Sequence, residues 1–186
     1  MLIVGFVGYP GSGKSEATAT AQALGFDIVS MGDVVRRYMR DRGIELSERS
    51  VGATANTLRQ RDGMDAIARL CIPTLYTSGS DKIVIDGIRG IAEVKAFKKE
   101  LGDQFRLVAI ISSPKTRLGR VLNRKRADDV YDLRTFQQKD SREMAWGLKE
   151  ALKAADYSLL NEGNIDSFRS AVANLLRQLT HSSGLQ

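Results

Sequence analysis

The segment Gly8–Ser15, with the sequence GYPGSGKS, has the spacing most specific for chemistry in this chain. It follows an apolar run and precedes an alanine-rich segment with helical periodicity, as a phosphate-binding loop of the form GxxxxGK[ST] requires. Glycines let successive backbone N–H groups point inward, and the helix that follows adds its positive end. The loop therefore predicts a site for the triphosphate of ATP, with Lys14 reaching the outer phosphates; its residues are Gly8, Tyr9, Pro10, Gly11, Ser12, Gly13, Lys14 and Ser15.

Two oxygen donors are candidates for binding Mg²⁺ beside this loop. Ser15 ends the loop, and Asp86 ends the apolar segment KIVID. Ligands of α/β proteins bind at the carboxyl ends of parallel strands, and Mg²⁺ prefers oxygen ligands. The alternative for Asp86 is a cap of the turn that follows the strand.

Composition removes several classes of site. The 186 residues include one cysteine, Cys71, and one histidine, His181, so an internal disulfide, a histidine-rich metal cluster and a histidine-dependent nucleophilic triad are excluded. The net charge of +6 favours an anionic partner, and nucleotides, coenzymes and nucleic acids all qualify.

Apolar runs separated by segments of helical periodicity indicate the fold. Runs rich in valine, isoleucine and leucine, without strict alternation, are typical of parallel strands covered on both faces. We expect an α/β fold with three layers, in which a five-stranded parallel sheet has helices on both faces; the runs are 2–8, 26–30, 82–87, 105–112 and 155–161.

The remaining segments decorate this sheet. Residues 31–78 predict a helical insertion of two or three helices, and residues 124–140 predict a lid segment. Trp146, with its apolar neighbours and Gly147, predicts the core of one long helix. We expect a single domain over residues 1–180 and a flexible tail over residues 181–186.

Four motifs resemble those of nucleotide kinases. GDVVR, from Gly32 to Arg36, resembles the GDxxR stretch of nucleoside monophosphate kinases, and DGIRG (86–90) resembles the DGFPR motif of adenylate kinases with one residue missing. RKRADD (124–129) resembles the RxDD end of their lid, and residues 155–168 are similar to the closing strand and helix of dephospho-coenzyme A kinases. Over nearly all of residues 1–180 the chain resembles an archaeal group labelled adenylate-kinase-related or dephospho-coenzyme-A-kinase-like.

This resemblance implies a P-loop kinase of the nucleoside monophosphate kinase type and assigns roles to charged side chains. Phosphoryl transfer depends on cations placed around the moving group, so arginines are the expected catalytic tools. The implied catalytic residues are Lys14, Asp33, Arg89 and Arg126, and the acceptor-side residues are Asp33, Arg36, Arg89 and Glu93. A lid over the donor would be formed by Arg117, Arg120, Arg124 and Arg126, of which Arg120 and Arg124 are predicted to bind ATP; Arg142 is a further lid candidate. The alternative for a lid arginine is a solvated helix face.

Two acidic residues bear on the acceptor. Asp33 matches both the GDxxR stretch and the aspartate that dephospho-coenzyme A kinases place after their second strand, so it fits a phosphate acceptor and a hydroxyl acceptor alike. Glu93 lies four residues after Arg89, where adenylate kinases carry a glutamine, and a carboxylate only accepts hydrogen bonds. Glu93 is therefore a candidate for contacting a base other than adenine, and the alternative is an exposed glutamate near Lys95.

The sequence thus predicts a kinase that transfers the γ-phosphoryl group of ATP, with Mg²⁺, to a nucleoside monophosphate-like acceptor. The first alternative is transfer to a sugar hydroxyl, as in dephospho-coenzyme A kinases; the second is a nucleotide-dependent switch or RNA-associated module. We do not expect nucleic acid as the partner, because stacking aromatics do not interleave the basic residues. We expect a cytoplasmic protein, because no apolar run approaches the ~20 residues of a membrane span. The oligomeric state is left open.

Overall fold

The computed structural model describes residues 1–124 and 133–184, and it contains the predicted parallel sheet. The five strands lie in the order β2-β3-β1-β4-β5, and all pairs are parallel; their bounds are β1 Leu2–Val7, β2 Asp27–Ser30, β3 Lys82–Asp86, β4 Phe105–Ile111 and β5 Tyr157–Leu160. The fold-class prediction is therefore confirmed.

Helices connect the strands and cover both faces of the sheet. Their bounds are α1 Lys14–Ala23, α2 Met31–Arg40, α3 Glu48–Asp62, α4 Ala66–Thr77, α5 Ile91–Leu101, α6 Pro114–Arg124, α7 Leu133–Ala145, α8 Leu148–Lys153 and α9 Ile165–Ser182, with one 3₁₀ turn at Gly102–Gln104. Helix α6 starts at Pro114, and the Ser113 hydroxyl before it accepts a hydrogen bond from the Thr116 N–H at 3.2 Å, as an N-cap residue does.

Each face of the sheet has its own apolar core. On one face β1 packs against α1 and α9 through residues such as Phe6, Ala17 and Phe168. The other face carries the larger core, in which Phe97 of α5 and Phe105 of β4 are both buried with their ring centroids 5.6 Å apart. The sheet lies between these two layers, so its carboxyl edge is the place where loops converge.

The insertion predicted at 31–78 contains three helices, α2, α3 and α4. Of the predicted lid, residues 125–132 lie outside the described ranges, and residues 133–140 form the first part of α7. Helix α9 extends two residues into the segment predicted as a tail, where the His181 ring nitrogen Nδ1 lies 2.7 Å from the Arg177 carbonyl oxygen.

The prediction of one long helix around Trp146 is wrong. Helix α7 ends at Ala145 and α8 begins at Leu148, with Gly147 between them at a φ of 83°, a left-handed conformation that glycine adopts without a steric penalty. Trp146 itself is half-buried, and Met144 is exposed. The chain turns at Gly147, so α7 and α8 are separate helices.

Candidate functional site

The loop between β1 and α1 has the shape that phosphate binding requires. It closes with a hydrogen bond from the Ser12 N–H to the Tyr9 carbonyl at 3.0 Å, and α1 begins directly after it at Lys14. Gly13 has a φ of 110°, and a Cβ at this position would collide with the Asn161 side-chain amide. Only glycine therefore fits here, and the positive end of α1 faces the loop.

Lys14 folds back over this loop. Its ammonium group donates to the Gly8 carbonyl and, at 3.2 Å, to the Tyr9 carbonyl. Desolvation lowers the pKa of Lys14 to about 8, and the Arg89 charge acts in the same direction, whereas the nearby carboxylates Glu143 and Asp86 oppose the shift. The Lys14 ammonium group is thus poorly solvated, so a nearby phosphate would strongly stabilise its charged form.

A cavity of about 720 Å³ opens in front of Lys14. It is bounded by the phosphate-binding loop, the turn after β3, α6, α7 and the start of α9; its walls are formed by Pro10, Gly11, Gly13, Lys14, Ser15, Glu16, Asp86, Gly87, Ile88, Arg89, Arg120, Val121, Asn123, Phe136, Lys139, Glu143, Asn161, Gly163, Ile165 and Phe168. The volume is within the range of small-molecule sites.

Ser15 and Asp86, the residues predicted to bind Mg²⁺, line the same cavity. A hydroxyl and a carboxylate are oxygen donors of the type that Mg²⁺ prefers, so these residues fit the ion. The described residues contain no group of three or more histidine, cysteine, aspartate or glutamate side chains that would form a complete protein cage. The remaining ligands would come from phosphate oxygens and water, as is usual for Mg²⁺.

Arg120 lies at the end of the cavity next to β5. Its guanidinium donates to the Asn161 side-chain oxygen at 2.9 Å and to the Asn161 carbonyl at 3.0 Å. Asn161 in turn donates to the Ser12 carbonyl at 2.8 Å, which ties the end of β5 to the phosphate-binding loop. The structure thus places the predicted donor-side Arg120 beside the loop, held by an asparagine.

Arg117, predicted as a lid residue, has a different position. Its side chain is buried, donates to both Asp140 oxygens at 2.8 and 2.6 Å, and donates to the Pro10 carbonyl at 3.0 Å. The guanidinium also lies over the rings of Tyr9 and Phe136, at 4.7 and 4.9 Å from their centroids. Arg117 therefore joins the phosphate-binding loop to α7 and does not face the cavity.

Arg89 lines the cavity and hydrogen-bonds through its guanidinium to Glu143, a buried carboxylate on α7. Glu143 lines the same cavity and adds a negative charge near Lys14. The predicted Arg89 is thus brought together with the predicted Lys14, Ser15 and Asp86.

Glu93 does not lie in either of the positions that the sequence suggested. It is 1% exposed, which excludes the exposed glutamate, and it does not belong to the cavity wall. One of its oxygens accepts a hydrogen bond from Arg59 at 2.9 Å, and the other accepts the Arg89 N–H at 2.7 Å. Burial raises the pKa of Glu93, and these two donors oppose that rise.

Asp33 and Arg36 lie at the start of α2, outside the wall of this cavity. They form an ion pair at 2.9 Å, with 69% of the Asp33 side chain exposed. Arg142 is exposed and lies over the Trp146 ring, 5.2 Å from its centroid. Arg126 and the Arg124 side chain lie outside the described residues.

The sequence did not identify two residues of the cavity wall, Glu143 and Asn161, or the buried partner of Glu93, which is Arg59. Asn161 follows β5 directly, so the rule that ligands bind at carboxyl ends of strands could have identified it. Glu143 lies in α7, whose apolar pattern is weak, and Arg59 lies in α3, far from the loop in sequence. Their roles depend on helix packing, which periodicity does not encode.

Residues 7–137 match the AAA domain family. The chain is 45% identical over 181 residues to a UPF0200/UPF0201 protein of Archaeoglobus fulgidus, covering 96% of this chain and 56% of that relative, so the chain spans little more than half of its length. It is also 42% identical to a UPF0200 protein of Methanothrix thermoacetophila, covering 98% of this chain and all of the relative, and 40% identical to one of Methanosarcina barkeri, covering 95% of each chain.

Solved structures share the fold at low sequence identity. The crystal structure of TT1252 from Thermus thermophilus aligns with a TM-score of 0.64 and 18% identity, covering 96% of this chain and 98% of that one. Shikimate kinase from Acinetobacter baumannii, solved with shikimate, aligns with a TM-score of 0.60 and 16% identity, covering 100% and 96% of the two chains. The fold is that of P-loop kinases. None of the helices in the described ranges has the length and apolarity of a membrane span.

Proposed function

The chain belongs to the UPF0200 family, and we propose that it is an ATP-dependent phosphotransferase whose acceptor is a small nucleotide-like molecule. The observation that carries this proposal is the single cavity wall shared by Lys14, Ser15, Asp86 and Arg89. This set offers cations for a transferring phosphoryl group together with oxygen ligands for its metal ion.

The donor triphosphate would lie along the phosphate-binding loop. Backbone N–H groups of the loop and the start of α1 would bind its phosphates, and Lys14 would exchange its carbonyl partners at Gly8 and Tyr9 for phosphate oxygens. Ser15 and Asp86 would hold Mg²⁺, which supplies neutralisation of phosphate charge when bound. Arg120 would bound the donor site at its β5 end.

The acceptor would enter from the side of the cavity that carries Arg89. The resemblance to nucleoside monophosphate kinases favours a phosphate as the acceptor group, and Arg89 is a suitable ligand because a guanidinium binds phosphate in a bidentate manner. The two substrates would then meet between Lys14 and Arg89.

One observation favours the second candidate, transfer to a sugar hydroxyl. A hydroxyl acceptor needs a proton acceptor, and Glu143 is a buried carboxylate on the cavity wall, whereas Asp33 lies outside that wall. We retain transfer to a hydroxyl of a nucleotide-like acceptor, as in dephospho-coenzyme A kinases, as the alternative.

A substrate panel tests the proposed function. The protein is mixed with ATP, Mg²⁺ and either single nucleoside monophosphates or dephospho-coenzyme A, and ADP release is followed by a coupled assay. We expect release with at least one acceptor, and loss of that activity in Lys14→Ala. Lys99→Ala removes an exposed lysine on α5 and should keep the wild-type rate.

Turnover with dephospho-coenzyme A alone would favour the second candidate. If wild-type protein does not bind MgATP in calorimetry and releases no ADP with any acceptor of the panel, the proposed function is wrong.

A further inference from the structure

A buried ion pair joins the helical insertion to the loop that carries Arg89. Arg59 belongs to α3 and Glu93 to α5, and their side chains are 6% and 2% exposed with the ion-pair atoms 2.9 Å apart. Burying two charges costs more than a packed apolar pair, so such a pair contributes little net stability. A buried ion pair of this kind can instead fix the position of α3 relative to α5.

The second oxygen of Glu93 fixes the backbone of the Arg89 loop. It accepts the Arg89 N–H at 2.7 Å, so one carboxylate contacts both the insertion and the residue proposed to act on the acceptor side. The same loop is also held by Gly90, which packs on the Trp146 backbone, and by the buried side chain of Ile88. The Glu93 carboxylate adds a direct link from the Arg89 backbone to α3.

The Arg89 side chain is held from the opposite direction. Its guanidinium hydrogen-bonds to buried Glu143 of α7, and its Cζ atom lies 6.0 Å from the centroid of the Trp146 ring. The Arg59 guanidinium lies over the same ring at 4.8 Å. The insertion, the Arg89 loop and α7 thus meet in one cluster next to the cavity.

We propose that Glu93 is a positioning residue, which with Arg59 couples α3 of the helical insertion to Arg89 and so sets the Arg89 guanidinium against the transferring phosphoryl group. This inference rests on the proposed function. It also gives Glu93 a role that differs from contact with an acceptor base. Because arginine stabilises a transition state only in a defined geometry, a displacement of about 1 Å is expected to cost much of its effect.

The test uses MgADP with aluminium fluoride, a mimic of the transferring phosphoryl group, and does not require the acceptor to be known. The affinity of wild-type protein for MgADP is measured by calorimetry with and without aluminium fluoride, and we expect the fluoride complex to bind more tightly. Arg89→Ala should reduce that enhancement by at least about tenfold, the scale of losing one charge-stabilising donor.

The decisive variant replaces both members of the pair, Arg59→Met with Glu93→Met. It leaves no unpaired buried charge, so the fold should be kept, whereas the acceptor for the Arg89 N–H is lost. We expect the same loss of enhancement as in Arg89→Ala, no further loss when the two are combined, and unchanged affinity for MgADP alone. Glu100→Met, at an exposed position of the same helix α5, is the matched control and should retain the full enhancement.

Fluorescence gives an independent readout, because Trp146 is the only tryptophan in the sequence. Its emission should change when the fluoride complex forms in wild-type protein and stay constant in the paired variant. If the paired variant does not fold, Glu93→Gln replaces it, with an expected loss of at least about threefold because the charge-assisted contact to Arg59 is weakened.

The outcomes separate the two proposals. The positioning role is wrong if a folded paired variant, or Glu93→Gln, keeps the full enhancement of MgADP affinity by aluminium fluoride. It is also wrong if the paired variant combined with Arg89→Ala loses more of this enhancement than Arg89→Ala alone, or if wild-type protein shows no enhancement. Failure of wild-type protein to bind MgADP at all would instead overturn the proposed function, on which the positioning role depends.

Discussion

The environment of Lys14 gives this residue a property that the sequence motif alone does not predict. The motif predicts a cation that reaches phosphate, but it does not predict that burial lowers the pKa of this lysine to about 8. A lysine with this pKa is partly neutral at mildly alkaline pH, unlike an exposed lysine near 10.4. The charge that we propose to bind the triphosphate is therefore itself sensitive to pH.

We predict that affinity for MgATP falls as the pH rises through the pKa of Lys14. Phosphates favour the protonated lysine, so the pKa is higher in the complex than in the free protein, and above about pH 8 binding must take up a proton. Linkage then gives a loss of about tenfold between about pH 7 and about pH 9. Calorimetry at several pH values, in buffers with different ionisation enthalpies, measures both the affinity and the proton uptake.

Lys14→Arg is the control for this pH dependence. A guanidinium stays protonated over the whole range, so the variant should bind with an affinity that changes little between the same pH values. An equally steep fall in Lys14→Arg would show that another group is responsible.

Individual side chains divide into those that sequence could place and those that it could not. Lys14, Ser15 and Asp86 line one cavity, and their proximity could be predicted because Lys14 and Ser15 belong to the loop and Asp86 ends a strand. Their roles at a triphosphate and at Mg²⁺ stay predictions. Arg117 and Glu93 were interpreted wrongly because their partners, Asp140 and Arg59, are 23 and 34 residues away in the chain. Helix packing decides which distant charged residues pair, and these pairs cannot be identified from a single sequence.

Among the elements, the junction between α7 and α8 positions the part of the cavity wall that carries Arg89 and Glu143. Gly90 precedes α5 and packs directly on the Trp146 backbone, where an added Cβ would collide with the Trp146 carbonyl oxygen. Gly147 packs on Ile91 in the same way, with 2.8 Å between its added Cβ and a methyl carbon of that side chain. These two contacts bring Arg89 and Glu143 to the same wall.

We predict that Gly90→Ala destabilises the protein by about 2 kcal/mol, the typical cost of overpacking against backbone that has little room to move. Gly52→Ala is the matched control, because Gly52 lies inside α3 with nothing within 4 Å of its added Cβ. Removing a helical glycine there should stabilise the protein by about 0.5 to 1 kcal/mol. Urea unfolding of both variants gives the two free energies of unfolding, and equal values for them would contradict this account of the junction.

All five strands were predictable, whereas the boundary between α7 and α8 was not. Runs such as KIVID and FRLVAII contain consecutive apolar residues, Ile83 to Ile85 and Leu107 to Ile110, because both faces of a parallel strand are covered, and this signal needs no knowledge of partners. The break between α7 and α8 was missed because Gly147 is compatible with both a helix interior and a helix end. Its left-handed conformation, with a φ of 83°, is not visible in the sequence.

At the scale of the whole molecule, the net charge of +6 is compatible with a nucleotide site and with a surface for nucleic acid. The described part of the chain favours a nucleotide site, because two arginines near the cavity already form hydrogen bonds or ion pairs inside the protein. Arg120 is held by Asn161, and Arg117 is paired with Asp140. Arginines in such positions can contact a ligand inside a cavity or stabilise the fold. They do not form an exposed basic surface that could bind the phosphate backbone of a nucleic acid.

We therefore predict that the protein binds single-stranded RNA only weakly, with a dissociation constant of about 10⁻⁶ M or higher near physiological salt, as expected of nonspecific charge attraction. Filter binding of an RNA oligonucleotide over a series of salt concentrations measures this, and calorimetry of MgATP under the same conditions provides the comparison. Lys14→Ala should abolish MgATP binding and leave RNA binding unchanged, because Lys14 faces the cavity and not the outer surface. Tight RNA binding that persists at about 0.2 M salt, or that Lys14→Ala also removes, would favour an RNA-associated module over a small-molecule kinase.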